Sequence, residues 1–257
     1  MKIICPFISI FLTKNNAANF LDEYLPFDYT EIRIKINFRK ECIFMTDKPQ
    51  TLSCIDCAAK ACKKGEAEKY PAFCLTKNMD PALLQEALDC YNEEEIHRVM
   101  VNAANVESEF YGKMTSVEET VEFAKRIGAQ KIGIGTCMGL LEEAKVFAKI
   151  LRKNGFEVFG ICCKAGAIPK TQLGISVKCE NSGKNMCNPI LQAKMLNAEH
   201  TDLNVAVGLC VGHDSLFYKY SDALVTTLIS KDRVTGHNPC AVLYNANSYY
   251  KSLLEDK

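Results

Sequence analysis

Four cysteines near the start of the chain have a spacing that could bind metal. The stretch Cys54-Ile-Asp-Cys57 lets one reverse turn present two sulfurs to the same ion, and Cys62 and Cys74 follow shortly afterwards. Four thiolates are the ligands of structural zinc and also of iron–sulfur clusters. The spacing therefore predicts a metal site at Cys54, Cys57, Cys62 and Cys74 but does not identify the metal.

The grouping of these cysteines favours an iron–sulfur cluster over zinc. Zinc ribbons and fingers usually contain two close pairs, whereas one pair here is followed by two single cysteines. Structural zinc remains the alternative, and disulfides within the group are a third interpretation. Disulfides are disfavoured because the chain has no convincing export signal and has amphipathic segments long enough to build a core.

A second set of cysteines follows the predicted strands. Cys137, Cys163 and Cys210 come at or just after strand ends, and the carboxyl ends of parallel strands meet at one edge of a sheet. Cys187 precedes Asn188-Pro189, which is typical of an N-cap and a first helical residue. A helix N-terminus stabilises a thiolate, and thiolates bind soft metals. Small buried hydrophobic residues are the plainer explanation for any one of these cysteines.

Polar side chains accompany these cysteines. His213 and Asp214 follow Cys210 closely, and His237 lies in a later loop; the histidines could bind metal or transfer protons. Strand alternation favours Cys163 slightly over the adjacent Cys162. The sequence therefore predicts a second, cofactor-binding site made of Cys137, Cys163, Cys187, Cys210, His213, Asp214 and His237. The segment 231–233 brings further charge to this edge, unless it is a solvated turn.

The glycines of Gly133-Ile-Gly135-Thr-Cys-Met-Gly139 raise the possibility of a phosphate-binding loop. Glycines between a strand and a helix let backbone N–H groups approach an anion. The spacing differs from the dinucleotide fingerprint, and Cys162-Cys163-Lys164 stands where the next strand should end in an acidic residue. A nucleotide is therefore unsupported.

The elements that must position these residues alternate between strands and helices. Strands are predicted at 131–135, 156–161, 203–209 and 223–229. Helices are predicted at 80–112 in two pieces, 117–127 with Ser116 as cap, 139–153, 189–199, 215–220, and from Pro239 onward. This alternation predicts an α/β fold, a three-layer Rossmann-like domain with a mostly parallel sheet.

Composition limits the classes of partner. The 257 residues include 31 Lys and Arg against 31 Asp and Glu, so no net charge attracts nucleic acid or an anionic membrane. The 14 cysteines, without a convincing export signal, favour a reducing, cytoplasmic location. We expect a redox partner protein or a small ligand, and the sequence does not decide whether the protein is an enzyme.

We expect three segments along the chain. Residues 1–44 form an N-terminal extension that need not be part of the fold. Residues 45–79 form a cysteine-rich metal-binding module, and residues 80–257 form a helical connection and the α/β domain. The apolar run after Lys2 resembles the core of a signal peptide. It is too short to span a bilayer, is interrupted by Pro6, and precedes no convincing cleavage site.

Several long motifs together resemble the domain-of-unknown-function 1847 family, uncharacterised prokaryotic proteins commonly labelled as predicted metal-binding. The resemblance spans about residues 52–245. The matching motifs are Cys54-x2-Cys57-x4-Cys62, Lys131-Ile-Gly-Ile-Gly-Thr-Cys137, Met-Cys187-Asn-Pro-Ile-Leu-Gln-Ala, Gly208-Leu-Cys-Val-Gly-His-Asp214-Ser-Leu-Phe and Lys231-Asp-Arg-Val-Thr-Gly-His-Asn-Pro239.

The resemblance implies a metal-binding role in the cytoplasm of bacteria or archaea. The first four cysteines named above match the family's N-terminal motif. Later family signatures match Cys187, Cys210, His213, Asp214, His237 and Asn238. Leu75 stands where relatives often have proline after the fourth cysteine, which weakens the analogy with ferredoxins. Two thiol-rich regions would let an iron–sulfur cluster pass electrons to chemistry at the sheet edge. The alternative is a non-enzymatic protein that is stabilised by zinc in the cysteine-rich module and that senses or carries a metal or a small ligand at the sheet edge.

Overall fold

The computed structural model describes residues 51–255, which form two compact units that divide between Asn78 and Met79. We call residues 51–78 the cysteine module and residues 79–255 the α/β unit. The expected extension at 1–44 and the start of the expected module, 45–50, lie outside the described residues. The three-segment organisation therefore stays a prediction. No helix among residues 51–255 has both the length and the apolar composition needed to cross a bilayer.

The cysteine module contains short turns rather than a packed core. Its elements are the 3-10 turns Cys54–Asp56, Ala61–Lys64 and Ala67–Lys69 and the single-turn helix α1, Leu75–Asn78. Ala61 is the one buried residue among positions 51–78. A segment this short with so little buried apolar surface has a weak hydrophobic driving force for folding.

Three helices open the α/β unit, and their starts follow capping chemistry. They are α2, Pro81–Cys90; α3, Glu94–Phe110; and α4, Ser116–Arg126. The Asp80 carboxylate accepts from the N–H of Ala82 at 2.9 Å, as an N-cap does. The prediction of Ser116 as the cap of α4 is wrong by one residue. Thr115 is the cap, because its backbone N–H donates to the Glu118 carboxylate at 2.8 Å and its hydroxyl accepts from the Glu118 N–H, forming a capping box.

The rest of the unit alternates strands and helices. The strands are β1, Lys131–Thr136; β2, Glu157–Cys162; β3, Leu203–Val207; and β4, Leu224–Ile229. The helices are α5, Leu141–Lys153; α6, Pro189–Ala198; α7, His213–Tyr220; and α8, Cys240–Tyr244. All three strand pairs are parallel, and the order across the sheet is β2-β1-β3-β4. The predicted α/β class with a parallel sheet is confirmed.

Helices cover both faces of the sheet, as the three-layer prediction requires. On one face, Ala124 of α4 and Phe147 and Leu151 of α5 belong to a buried core. On the other, Leu196 of α6 and Phe217 of α7 form a second core. Every residue of the central strand β3 is buried, which explains its nearly continuous apolar sequence.

The strand order places a topological switch point between β1 and β3. From β1 the chain crosses to β2 on one side and then returns to β3 on the other. Open parallel sheets bind ligands in the crevice outside the carboxyl ends of strands at such a point. The loops after β1 and β3 therefore flank the expected ligand position.

The loop after β3 approaches the loop after β1 very closely. A Cβ added to Gly208 would lie 1.8 Å from Cδ1 of Leu140, a side chain that is 1% exposed. Gly208 also has a φ of +64°, in the left-handed region that L side chains rarely adopt. The absence of a side chain at this position is therefore a condition for bringing the two loops together.

We predict that Gly208→Ala lowers the free energy of unfolding by at least about 2 kcal/mol, since it adds backbone strain to an overlap with a side chain that cannot move away. Urea denaturation followed by circular dichroism measures this change. Gly160→Ala is the matched control, because a Cβ there would meet Ile134 at 3.8 Å, an ordinary contact. A loss at Gly208 no larger than that at Gly160 would contradict the proposed close approach.

Candidate functional site

Backbone hydrogen bonds continue the sheet pairing beyond the strands and bring three loops together. The N–H of Cys163 donates to the carbonyl of Thr136 at 2.9 Å, and the N–H of Cys137 donates to the carbonyl of Val207 at 3.3 Å. The carbonyl of Cys163 accepts from the N–H of Asn188 at 2.8 Å. Cysteines that are far apart in sequence are thereby held as neighbours at the carboxyl edge of the sheet.

Four thiols form a continuous series at this edge. The Cys163 thiol hydrogen-bonds with those of Cys137 and Cys187, and the Cys137 thiol also contacts that of Cys210. The series therefore runs Cys187–Cys163–Cys137–Cys210, and we call it the thiol row. Its inner members, Cys163 and Cys137, are 4% and 7% exposed, whereas its outer members are half-buried. Of the adjacent cysteines Cys162 and Cys163, it is Cys163 that belongs to the row. Its Sγ also accepts from the N–H of Met138 at 3.4 Å.

Contacts within the row raise the pKa of one thiol and lower the pKa values of two others. The pKa of Cys163 is raised well above its ordinary value, first by hydrogen bonds with Cys137 and Cys187 and then by burial. The pKa values of Cys137 and Cys187 are lowered, chiefly because the Cys163 S–H donates to them as thiolates. Since Cys163 has a single proton, it donates to one neighbour at a time. The row therefore combines a persistent thiol with a readily ionised one.

Cations from one loop lie against one end of the row. Arg233 donates from Nη2 to Sγ of Cys210 at 2.9 Å. Lys231 lowers the pKa of Cys137 by its charge, and its Nζ lies 3.4 Å from where a Cβ of Gly139 would be. Burial is the main cause that raises the pKa of Cys210, and Arg233 opposes it. A negative charge at this end of the row is therefore partly balanced by fixed cations.

Cations also lie near the other end. The charges of Lys164 and His213 both lower the pKa of Cys187, after the hydrogen bond from within the row. Lys164 is held in place by donating from Nζ to the carbonyl of Asn185 at 2.6 Å. Nearby positive charge stabilises the thiolate, which is the form of cysteine that binds metals and attacks disulfides.

The loop that carries Lys231 and Arg233 is held by a local network. The Nδ1 of His237 accepts from the backbone N–H of Asp232 at 3.1 Å. The backbone N–H of His237 in turn donates to the carbonyl of Asp232 at 2.8 Å. His237 has a φ of +68°, a left-handed conformation that is uncommon outside glycine. The structure places the predicted ligand His237 in this loop network, with one ring nitrogen bonded to the backbone.

The predicted residues His213 and Asp214 lie in a helix and not in the expected loop. Gly212, with a φ of +82°, reverses the chain, and α7 begins at His213, so the predicted start at 215 is two residues late. The N–H groups of His213 and Asp214 both donate to the carbonyl of Cys210. The Asp214 carboxylate accepts from the N–H of Ser215 at 2.9 Å. Of the two side chains, that of His213 acts on the row by its charge.

The two Asn-Pro pairs behave differently. Asn188 accepts from the N–H of Leu191 at 3.0 Å and caps α6, which begins at Pro189 as predicted. Asn238 does not cap a helix in this way: Pro239, which has helical backbone angles, is the N-cap of α8, so that helix begins at Cys240, one residue later than predicted. Only the first pair therefore positions a thiol of the row, Cys187, at the N-terminus of a capped helix.

Gln192 joins two strand ends beneath the row, and we did not select it from the sequence. It is fully buried, and its Nε2 donates to the carbonyl of Thr136 at 3.0 Å and to that of Ile161 at 2.8 Å. Thr136 is the last residue of β1, and Ile161 is the second-last residue of β2. The Gln192 amide therefore fixes the spacing between the strands that lead to Cys137 and Cys163. A polar residue on the apolar, core-facing side of a helix was the signal that could have identified it.

The N-terminal cysteines show a different arrangement. Cys54 and Cys62 are exposed, Cys57 and Cys74 are half-buried, and all four are free thiols. Among residues 51–255, no group of three or more His, Cys, Asp or Glu side chains is positioned to hold a metal ion, and this includes the thiol row. Metal binding by the module therefore stays a prediction.

We predict that Cys163→Ala raises the pKa values of Cys137 and Cys187, because it removes the S–H that stabilises their thiolates. Fewer thiolates should then be present near pH 6 than in the unchanged protein. Thiolate absorbance at about 240 nm, followed against pH in reduced, metal-free protein, measures the difference. Cys162→Ala is the matched control, and an equal effect of the two variants would contradict this assignment of the hydrogen bond.

Comparisons with known proteins identify the family. A family model described as "Protein of unknown function (DUF1847)" matches residues 74–228. The "Uncharacterized protein MJ0455" of Methanocaldococcus jannaschii is 41% identical over 206 residues, which are 80% of this chain and 100% of that protein. These matches confirm the resemblance inferred from the motifs.

Two solved structures of Dph2 from Pyrococcus horikoshii also show partial similarity. One, described as containing a 4Fe-4S cluster, is 21% identical with a TM-score of 0.24, and the match covers 37% of this chain and 22% of that one. The other is 16% identical with a TM-score of 0.30, covering 54% and 32% respectively. The chain thus spans less than a third of either Dph2 structure. On the strength of the family model and the archaeal relative, this chain belongs to the DUF1847 family of proteins of unknown function.

Proposed function

We propose that this protein is a metal–sulfur protein that binds an iron–sulfur cluster through the thiol row and takes part in electron transfer. The observation that carries the proposal is the convergence of four thiols, from the loops after β1 and β3 and from both ends of the connection between β2 and α6, at the switch point of a parallel sheet. For a single cysteine, burial as a small apolar residue would be a sufficient explanation. It does not explain four sulfurs in serial contact.

The chemistry of the donors fits a metal–sulfur cluster better than a single ion. Four thiols are the usual ligand set of an iron–sulfur cluster. A tetrahedral zinc ion needs its four ligands around one point, whereas the row is a series of pairs, and no three side chains among residues 51–255 are placed to hold one ion. In a cluster the cysteines bind different iron atoms, so its ligands need not surround one point, although the sulfurs of the row would have to move apart to admit the cluster core.

The charges around the row support the same proposal. Four thiolates and an iron–sulfur core together carry net negative charge, which is costly at a partly buried site. The side chains of Lys231 and Arg233 lie at one end of the row and those of Lys164 and His213 at the other. Lys164, Lys231 and Arg233, as cations, would lower the cost of holding an anionic cluster and would influence its reduction potential.

The chain's own residues would have distinct roles. When bound, the cluster would supply one-electron chemistry. The four cysteines would be its ligands, Gln192 would set the spacing of the two inner ones, and Arg233 would donate a hydrogen bond to a ligand sulfur. The natural partners of such a site are a redox protein or a small ligand in the adjoining crevice, and a reducing cytoplasm would keep the thiols available.

A structural metal is the better proposal for the cysteine module. Only Ala61 is buried among positions 51–78, so the module lacks the core that would hold its turns together. Small domains of this kind are commonly stabilised by a metal that links their loops. Zinc bound by Cys54, Cys57, Cys62 and Cys74 would serve this purpose, and an iron–sulfur cluster would do the same while adding redox activity.

We predict that anaerobic reconstitution with iron and sulfide gives a brown protein with about two to four iron atoms at the row. Cys137→Ser, Cys163→Ser, Cys187→Ser and Cys210→Ser should each remove at least about half of that iron, because each removes a ligand. Iron and acid-labile sulfide analysis, with electron paramagnetic resonance of the reduced protein, measures this. Cys162→Ser and Cys240→Ser are the controls.

Iron retained by all four row variants would refute the proposal for the row. To keep the two regions separate, each variant is also prepared with Cys57→Ser, which removes one ligand from the cysteine module. Loss of the remaining iron in that background then reports on the row. Circular dichroism of the metal-free variants shows that they are folded.

For the module, we predict that metal chelation exposes residues 51–78 to proteases, because the bound ion replaces a missing core. Cys57→Ser should have the same effect without chelator, and Cys90→Ser, which changes an exposed cysteine of α2, should have none. Limited proteolysis with mass spectrometry, alongside metal analysis, makes the measurement. Unchanged metal content and cleavage in Cys57→Ser would contradict a metal site here.

A further inference from the structure

The two inner thiols of the row have a backbone geometry that suits a disulfide. Cys137 and Cys163 directly follow Thr136 and Cys162, which are paired in the register of β1 and β2. The hydrogen bond from the N–H of Cys163 to the carbonyl of Thr136 extends that pairing. Neighbouring strands lie about 4.8 Å apart, and disulfides join Cα atoms separated by about 4.4 to 6.8 Å. The two thiols already contact each other, so a bond between them needs little backbone movement.

The row also connects these buried thiols to the surface. Cys163 and Cys137 are nearly inaccessible, whereas the outer thiols are half-buried. At one end, Arg233 lies on the sulfur of Cys210 at 2.9 Å and restricts approach to it. At the other end, Cys187 contacts Cys163 and hydrogen-bonds with Lys164, whose Nζ is shared with the carbonyl of Asn185 at 2.6 Å. A reagent that oxidises the inner pair would therefore enter at Cys187.

We propose that the metal-free thiol row is a dithiol–disulfide relay, which accepts oxidising equivalents from a low-molecular-weight disulfide at Cys187 and holds them as a Cys137–Cys163 disulfide. This activity is separate from cluster binding, although it uses the same sulfurs. A bound cluster would occupy the thiolates and block the exchange. The serial contacts that make the row a poor cage for one ion are what thiol–disulfide exchange requires.

The relay consists of three exchange steps. The Cys187 thiolate attacks one sulfur of the small disulfide, the S–S bond breaks, and one thiolate leaves and takes up a proton. The Cys163 thiol loses its proton and attacks Cys187, which releases the second small thiol and forms a Cys163–Cys187 disulfide. The Cys137 thiolate then attacks Cys163 and releases the Cys187 thiolate. Two electrons pass in total from the two inner thiols to the small disulfide, which becomes two thiols.

The test uses the full chain, reduced and freed of metal with a chelator, and then treated without oxygen with hydroxyethyl disulfide as the probe. After acid quenching and alkylation, peptide mapping by mass spectrometry identifies every disulfide. We expect a Cys137–Cys163 link as the main product. Cys137→Ser should stop the relay at a Cys163–Cys187 link, and Cys163→Ser should trap the probe on Cys187. Cys162→Ser is the matched control and should give the same product as the unchanged protein.

Two results would overturn the inference. One is the absence of a Cys137–Cys163 link in folded protein, and the other is formation of that link at an undiminished rate in Cys187→Ser. The failure of this inference and that of the proposed function are distinguishable. Iron uptake at the row without an internal disulfide would contradict the relay alone. Formation of the disulfide without iron uptake at the row would contradict cluster binding alone.

Discussion

The candidate site depends on parallel hydrogen bonding that continues past the ends of the strands. In a parallel ladder, residues in register have side chains on the same side of the sheet. The pairing of β1 with β2 continues through the N–H of Cys163 to the carbonyl of Thr136, and the pairing of β1 with β3 continues through the N–H of Cys137 to the carbonyl of Val207. Sulfurs from separate loops are brought into contact because their backbones belong to one ladder.

The contacts that hold the loops together also determine the chemistry of the thiols. Burial alone would raise the pKa of each thiol and leave it unreactive. Hydrogen bonding within the row opposes burial for Cys137 and Cys187 and adds to it for Cys163. The loop at residues 231–237 then supplies two cations, and its own shape depends on the bonds between Asp232 and His237. The contacts that hold these loops together are therefore also the contacts that set the pKa values of the thiols.

The sequence was sufficient to predict the local elements and the positions of several thiols. Short apolar runs rich in Val and Ile marked the strands, and Asn188-Pro189 marked the start of α6, because these signals depend on neighbouring residues. The edge of the sheet at which Cys137, Cys163 and Cys210 lie followed from the general geometry of parallel sheets.

Other features depend on contacts between distant residues and could not be predicted in this way. The strand order decides which cysteines are neighbours, and it arises from packing on both faces of the sheet. The contact between Arg233 and Cys210 depends on how the loop at residues 231–237 folds back on itself. Local predictions also erred where two capping residues competed, since Thr115 and the adjacent serine both have hydroxyls able to accept the same N–H.

Helix α6 links more of the site than its sequence indicated. Its cap, Asn188, adjoins one outer thiol and donates its N–H to the Cys163 carbonyl, and its buried Gln192 holds the ends of two strands. Three of the four sulfur-bearing segments, those at Cys137, Cys163 and Cys187, are therefore bonded to or adjoin this helix. A displacement of this helix would therefore act directly on Cys187 and, through these hydrogen bonds, on the strand ends that lead to Cys137 and Cys163.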